Sequence, residues 1–355
     1  MRAGLHRRRA RSVMIITVVI LIGCFGIGSM ILVKVLYDQQ FVRVEVPEFS
    51  RYLRFSDLDG YEYQSVSFRS GANTLQGYLF GYPSEQGLVV IAHGMGGGAE
   101  SDLAEILFFV DQGWSVFAYD CTGTYASDGD SMMGLAQSVI DLDAALKYIR
   151  TNSDLQHLPV MLYGHSWGGY AVATVLNFNH DAAGVVTIAG FNSPNTMLLE
   201  QAVQMLGPLA YIEYPFMWLY QTILFGKEAH LTAVDGINKA GVPVMVVHGT
   251  KDRTVSFDSA SIISKREMIT NPNVVYKVCD QEGKNGHNNL FMSDRAISYI
   301  TQKNAQWQDL REQYGSDVPH DVKAAYYDSI NRWQSSELDL EFMSEINDFL
   351  LAIIR

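Results

Sequence analysis

"MLYGHSWGGYA", Met161 to Ala171, sets Ser166 between Gly164 and Gly168 with one residue separating each pair. A glycine-serine-glycine pattern is common by chance, so its meaning rests on what surrounds it. Directly upstream, Val160 to Gly164 is a short apolar run of strand type, and downstream Gly168 to Phe178 reads as a helix. On a strand-turn-helix the two glycines permit a tight, strained backbone, and the serine hydroxyl projects alone above the sheet as a nucleophile. A serine that merely capped the helix would not need both glycines.

Outward from this turn, short runs rich in Val, Ile, Tyr and Phe alternate with segments of helical period. The strand candidates are SVSFRS, LQGYLFGY, LVVIAH, SVFAY, VMLYG, GVVTIAG, PVMVVHG and NVVYKVC, and the helix candidates include residues 99–112, 132–151 and 168–178. Such alternation predicts an α/β fold, a mostly parallel central sheet with helices on both faces. Chemistry is then expected beyond the carboxyl ends of the strands.

A serine hydroxyl is a weak nucleophile and needs a base, which in turn needs an orienting carboxylate. Asp252 follows the strand PVMVVHG in GTKDRTV, and His287 lies in the loop GKNGHNN after the next strand; the order Ser, Asp, His suits this architecture. Asp280 is the rival carboxylate, but it sits at the strand end just before the histidine loop. Backbone donors for a tetrahedral oxyanion are expected from Met95, in the glycine-rich loop HGMGGG at residues 93–98, and from Trp167, next to the nucleophile. The same loop lacks the Gly-Lys-Ser/Thr ending of a phosphate cradle. His93, His165 and the Trp167 side chain read as structural or packing residues. Scattered histidines without HExxH or CxxC give no support for a metal, and no cofactor is expected.

On HGMGG, GHSWGG, HGTKDRTV and the Gly-His of NGHNN, the chain from about Tyr61 onward resembles the α/β-hydrolase superfamily, in its lid-bearing esterase, lipase and serine aminopeptidase-like group. That resemblance implies a Ser166, His287, Asp252 triad, an acyl-enzyme intermediate and no cofactor. It departs at residues 120–129, DCTGTYASDG, which lack the arginine and middle glycine of many relatives. An aspartate nucleophile, as in dehalogenases and epoxide hydrolases, is excluded by the serine at 166.

Two segments interrupt the alternation. Residues 192–240 contain no strand and include the aromatic MLGPLAYIEYPFMWLYQTILF, read as a helical lid with an apolar underside; Met205, Tyr211, Phe216 and Trp218 are its candidate substrate contacts. Residues 293–336 form a polar helical insertion broken near Gly315 and Pro319, and an amphipathic helix from Leu338 to Ile354 closes the chain.

The N-terminal region sets the compartment. Residues 1–11 form a basic tail, 12–36 an apolar transmembrane anchor and 37–60 a juxtamembrane stalk before the hydrolase domain at 61–355. Arginines 2, 7, 8, 9 and 11 predict a cytoplasmic N-terminus and an extracytoplasmic catalytic domain. A competing reading places a lipidated cysteine at Cys24, in LIGC. With those five positive charges set aside, the chain's net −12 becomes −17, a surface that repels phosphate backbones and argues against nucleic acid. Pairing of Cys121 with Cys279 stays open, as does oligomeric state.

Together these features predict a membrane-bound serine hydrolase acting on a small-molecule or lipid-like carboxylic ester with a hydrophobic acyl group. The alternatives are a peptidase or amidase of the serine aminopeptidase type and, more remotely, a non-catalytic cell-surface binding module.

Overall fold

The computed structural model describes the backbone of residues 2–355 and the side chains of residues 11–355. The basic tail expected over residues 1–11 therefore lies, apart from Arg11, outside the described side chains. Eight strands form one sheet: β1 (Tyr63–Ser70), β2 (Asn73–Phe80), β3 (Leu88–Ala92), β4 (Ser115–Tyr119), β5 (Val160–His165), β6 (Ala182–Ile188), β7 (Val244–Gly249) and β8 (Val274–Cys279). Their order is β1-β2-β4-β3-β5-β6-β7-β8, with β2 antiparallel to both neighbours and every other pairing parallel.

Each expected strand is present because the inner ones are buried on both faces and therefore read as unbroken apolar runs. Leu88, Val90 and Ala92 of β3 join one core layer with α3 (Gln137–Thr151), α4 (Trp167–Thr174) and α7 (Ala233–Ala240). Val89 and Ile91 face the opposite layer, with α2 (Leu103–Asp111) and the C-terminal α11 (Leu340–Ile354). The helix expected from residue 132 starts only at Gln137, because Met133 (φ 61°) and Gly134 (φ 143°) hold left-handed backbone. In the polar insertion, α8 (Asp294–Tyr314), α9 (His320–Asp328) and α10 (Arg332–Ser335) break at Gly315 and Pro319 as expected. Cys24, Cys121 and Cys279 are free. Cys121 follows β4 and Cys279 ends β8, with four strands between them, roughly 20 Å or more.

The N-terminal helix α1 (Arg2–Gln40) contains the whole expected span 12–36, and among the described residues it alone is long and apolar enough to cross a membrane. Residues 37–60 are not a free stalk. The helix continues to Gln40, and residues 41–54 then run along the domain. Phe41 and Leu53 are buried, Val44 pairs with Thr124, and the Arg43 guanidinium donates to the carbonyls of Tyr125, Ser127 and Gly129 at 2.8–2.9 Å. The loop at 120–129 that lacks its own arginine thus receives one from outside. Arg54 adds an ion pair to buried Glu100 at 2.7 Å.

Residues 192–240, expected as a lid, hold α5 (Pro194–Leu206) and α6 (Ala210–Phe225), joined by a single 3-10 turn, and then α7, which belongs to the core layer. Ser193 caps α5 by accepting from the Thr196 amide. Glu200 fixes α5 over the loop after β7 by accepting from the Ser256 and Ala260 amides. α6 crosses α1, where Phe25 meets Phe216, Ser29 donates to Glu213 at 3.2 Å, and Tyr37 packs on Tyr220.

Arg43→Ala removes three charge-assisted hydrogen bonds to loop carbonyls, so chemical denaturation is expected to show a loss of about 1–3 kcal/mol. An unchanged unfolding midpoint would show that residues 41–54 lie on the domain without supporting it.

Candidate active site

Ser166 leaves β5, between β3 and β6, and opens α4 with φ 57° and ψ −113°. This left-handed conformation is unfavourable for a residue with a side chain. The glycines around it are needed for space. A Cβ on Gly168 would lie 1.8 Å from the Ala92 carbonyl oxygen, and one on Gly164 would lie 2.4 Å from that of Gly168. Close approach of β3, β5 and α4 therefore imposes the turn, and the Ser166 amide closes it by donating to the Ile188 carbonyl at 2.8 Å.

The three residues expected to act together are brought together. His287 Nε2 lies 2.8 Å from Ser166 Oγ, and His287 Nδ1 lies 2.7 Å from Asp252 Oδ2. Asp252 Oδ1 accepts from the amides of Thr254 and Val255 at 2.8 and 2.9 Å. A second imidazole, His248, sits 3.2 Å from Asp252 Oδ2 while donating to the Val255 carbonyl at 2.9 Å. Burial alone would raise the Asp252 carboxyl. The hydrogen bonds from His248 and His287, the His287 charge and the Val255 amide reverse that and hold it far below the usual carboxylate range. Asp280 lies at the far end of β8 and accepts, through its backbone carbonyl, from Asn285.

Met95 and Trp167 both border the cavity beside Ser166. Trp167 is the first residue of α4, so its N–H has no acceptor within the helix. The Met95 loop is fixed from beneath by His93, which donates from Nδ1 to the Gly94 carbonyl and accepts at Nε2 from the Cys121 amide. Burial drives the His93 imidazole down to about 4 and keeps it neutral in that bridge. The Trp167 ring is fully buried and donates to the Leu135 carbonyl.

His165 is more than packing. Its Nε2 donates to the backbone carbonyl of His287 at 2.8 Å, and the two rings lie 4.9 Å apart. Burial, then the neighbouring His287 charge, pushes His165 down to about 4, so it holds the histidine loop as a neutral donor.

Of the four lid residues expected to touch substrate, only Met205 borders the cavity. Phe216 faces α1, Trp218 stacks on His230 at 4.7 Å, and Tyr211 is exposed. A helix that is apolar all round does not reveal which face turns inward. On α6 that face is Glu213 and Met217, one helical turn apart. The wall missed entirely is α1, which contributes Leu32, Val33, Leu36 and Tyr37 to a cavity of about 610 Å³. Its surface is mainly apolar, with Glu213 as the sole carboxylate among the described lining residues.

The family model described as serine aminopeptidase, S33 matches residues 83–219, a stretch holding the Met95 loop, Ser166, α5 and most of α6. Two crystal forms of the esterase Pf2001 of Pyrococcus furiosus have the same fold. One aligns at 18% identity with a TM-score of 0.53, covering 76% of this chain and 95% of that one. The other aligns at 16% identity and 0.51, covering 82% and 99%. The chain has the α/β-hydrolase fold. No curated protein sequence matches it. On this fold Ser166 follows β5, Asp252 follows β7 and His287 lies in the loop after β8.

Two substitutions test the geometry. Gly168→Ala meets a carbonyl oxygen that cannot move without displacing β3, and loss of folded protein in a thermal melt is expected. His165→Ala frees the His287 carbonyl, and kcat on any turned-over ester is expected to fall about tenfold at nearly constant KM, as one hydrogen bond of positioning is lost. Equal effects on kcat and KM would assign His165 to substrate binding instead.

Proposed function

We propose that this α/β hydrolase is a membrane-anchored serine hydrolase that cleaves a carboxylic ester with a hydrophobic acyl group. The observation that carries the reading is the hydrogen-bonded line from Ser166 Oγ through His287 to Asp252, with Ser166 and His287 bordering an apolar cavity. Ser166 Oγ attacks the acyl carbonyl as its proton passes to His287 Nε2. The amides of Met95 and Trp167 receive the oxyanion. Collapse of the tetrahedral intermediate breaks the bond to the alcohol oxygen, which leaves with the proton from His287. Water then attacks the acyl-enzyme, giving its proton to His287, and the acid departs as Ser166 recovers its own. Asp252, ionised throughout, orients the imidazole and stabilises its cationic form.

The apolar part of α1 spans the bilayer in this reading, with the basic tail cytoplasmic and the hydrolase domain outside. Lipidation at Cys24 is the alternative anchor; the mass of the mature protein distinguishes the two. Amide cleavage is the second catalytic reading, favoured by the serine aminopeptidase profile and by the Glu213 carboxylate, which offers a partner to a substrate ammonium.

Fluorophosphonate labelling of the full chain, abolished in Ser166→Ala, is the expected result; equal labelling of both would overturn the serine mechanism. Across p-nitrophenyl esters of rising chain length, kcat/KM is expected to increase to medium or long acyl groups and to exceed that for aminoacyl-naphthylamides. The opposite ranking would establish the peptidase.

A further inference from the structure

The apolar surface of this protein does not end where the anchor meets the domain. On α1, Val13, Ile16, Ile20, Phe25 and Ile31 are all more than half exposed, as a bilayer-spanning helix requires. The lid continues that surface: Leu209, Tyr211, Ile212 and Ile223 are exposed by 52–64%, a run of large apolar side chains that water would penalise. The two surfaces meet at the catalytic cavity. Leu32 of α1 and Met205 of α5 each line the cavity and are each exposed, by 42% and 67%. The mouth is thus rimmed on both sides by side chains that belong to the outer apolar surface.

Contacts between α6 and α1 set the depth of that mouth. The last residue of the uncharged run is Val33, before Lys34. Ser29, which donates to Glu213, lies four residues further in, and Phe25, which packs on Phe216, lies eight. At 1.5 Å per residue these contacts reach about 6 and 12 Å below the level of Val33, within the outer half of a hydrocarbon layer about 30 Å thick. The carboxylate on this part of α6 does not face outward: Glu213 borders the cavity and is held by Ser29.

Resting on the membrane-anchored reading above, we propose that the outer face of the α5–α6 lid lies in the outer half of the bilayer, and that the cavity takes its substrate, a long-chain acyl ester of a membrane lipid, sideways between α1 and the lid. The substrate then never crosses water. Its acyl chain passes from the bilayer over Leu32 and Met205 into the apolar cavity that Ser166 also lines.

Two measurements on the full chain in phosphatidylcholine vesicles test this. The first uses Ser166→Ala with Cys24 and Cys279 replaced by serine and a nitroxide at Ile212→Cys. Collisions with oxygen are expected to exceed those with a water-soluble nickel complex, as for the same probe at Val19, whereas a ratio like that of a probe at exposed Asp309 on α8 overturns the proposal. Because that protein is catalytically silent, the result stands whether or not the serine mechanism does. The second uses the pair Leu209→Glu and Ile212→Glu, neither of which borders the cavity. Hydrolysis of 1-oleoylglycerol carried in the vesicles is expected to fall about tenfold or more, while kcat/KM on water-soluble p-nitrophenyl butyrate stays within about twofold. No loss on the vesicle ester, or an equal loss on both substrates, overturns it.

Discussion

The backbone of Ser166 can exist only because β3, β5 and α4 approach more closely than side chains allow. Its left-handed conformation costs on the order of 1–3 kcal/mol, and nothing local offsets that. The offset comes from the sheet. Ala92 closes over Gly168, Gly168 over Gly164, and the Ser166 amide is bound to Ile188 of β6. Two buried core layers hold these strands in register, so the hydroxyl is raised above the sheet by the packing of the domain as a whole. Burial and strain are coupled here: a looser core would let the turn relax.

Electrostatics follow from the same arrangement. A carboxylate with no exposed side-chain surface would ordinarily be driven to its neutral form. Asp252 escapes this because both its oxygens are occupied, one by two backbone amides and the other by two imidazoles. His93 and His165 are treated in the opposite way. Neither ring bonds a carboxylate, each is kept neutral, and each spends its ring N–H on a loop carbonyl. Four histidines near one site thus differ by what lies opposite each ring: His287 stands between Asp252 and Ser166, His248 on Asp252, and His93 and His165 on loop carbonyls.

Much of this was legible in the sequence, and the reasons differ by element. Inner strands such as β3 and β7 are buried on both faces, which leaves an apolar run without interruption. Ser166, Asp252 and His287 stand at strand ends in a fixed order, so topology alone brings them near one another. Residues 41–54 gave no such sign. Arg43 binds three carbonyls, and a carbonyl acceptor leaves no trace in residue type. His165 was unreadable for the same reason, since its partner is the backbone of His287. The lid and α1 failed differently: both are apolar on every side, and without a polar stripe no periodicity says which residues turn inward. Hence the sequence does not separate Phe216 and Trp218 from Met217, and Leu32 and Val33 read as anchor alone.

α1 both lines the cavity and carries the exposed apolar surface that meets lipid in the proposed reading. Leu32, Val33 and Leu36 fill one side of the cavity, so its volume is defined only while α1 stays docked against α6. Apolar contact alone is a poor determinant of such docking inside a bilayer, where lipid chains satisfy the same side chains equally well. A directional contact is needed, and the Ser29 hydroxyl supplies one by donating to Glu213. If α6 lies in hydrocarbon as proposed, a carboxylate without partners is expensive there, which gives α6 a reason to stay against the helix that carries its donor. The other Glu213 oxygen is buried and has no protein partner among the described residues, leaving acceptor capacity beside the cavity. The same side chain thereby joins α1 to α6 and presents to the cavity a polar group that a hydroxyl or amine can satisfy.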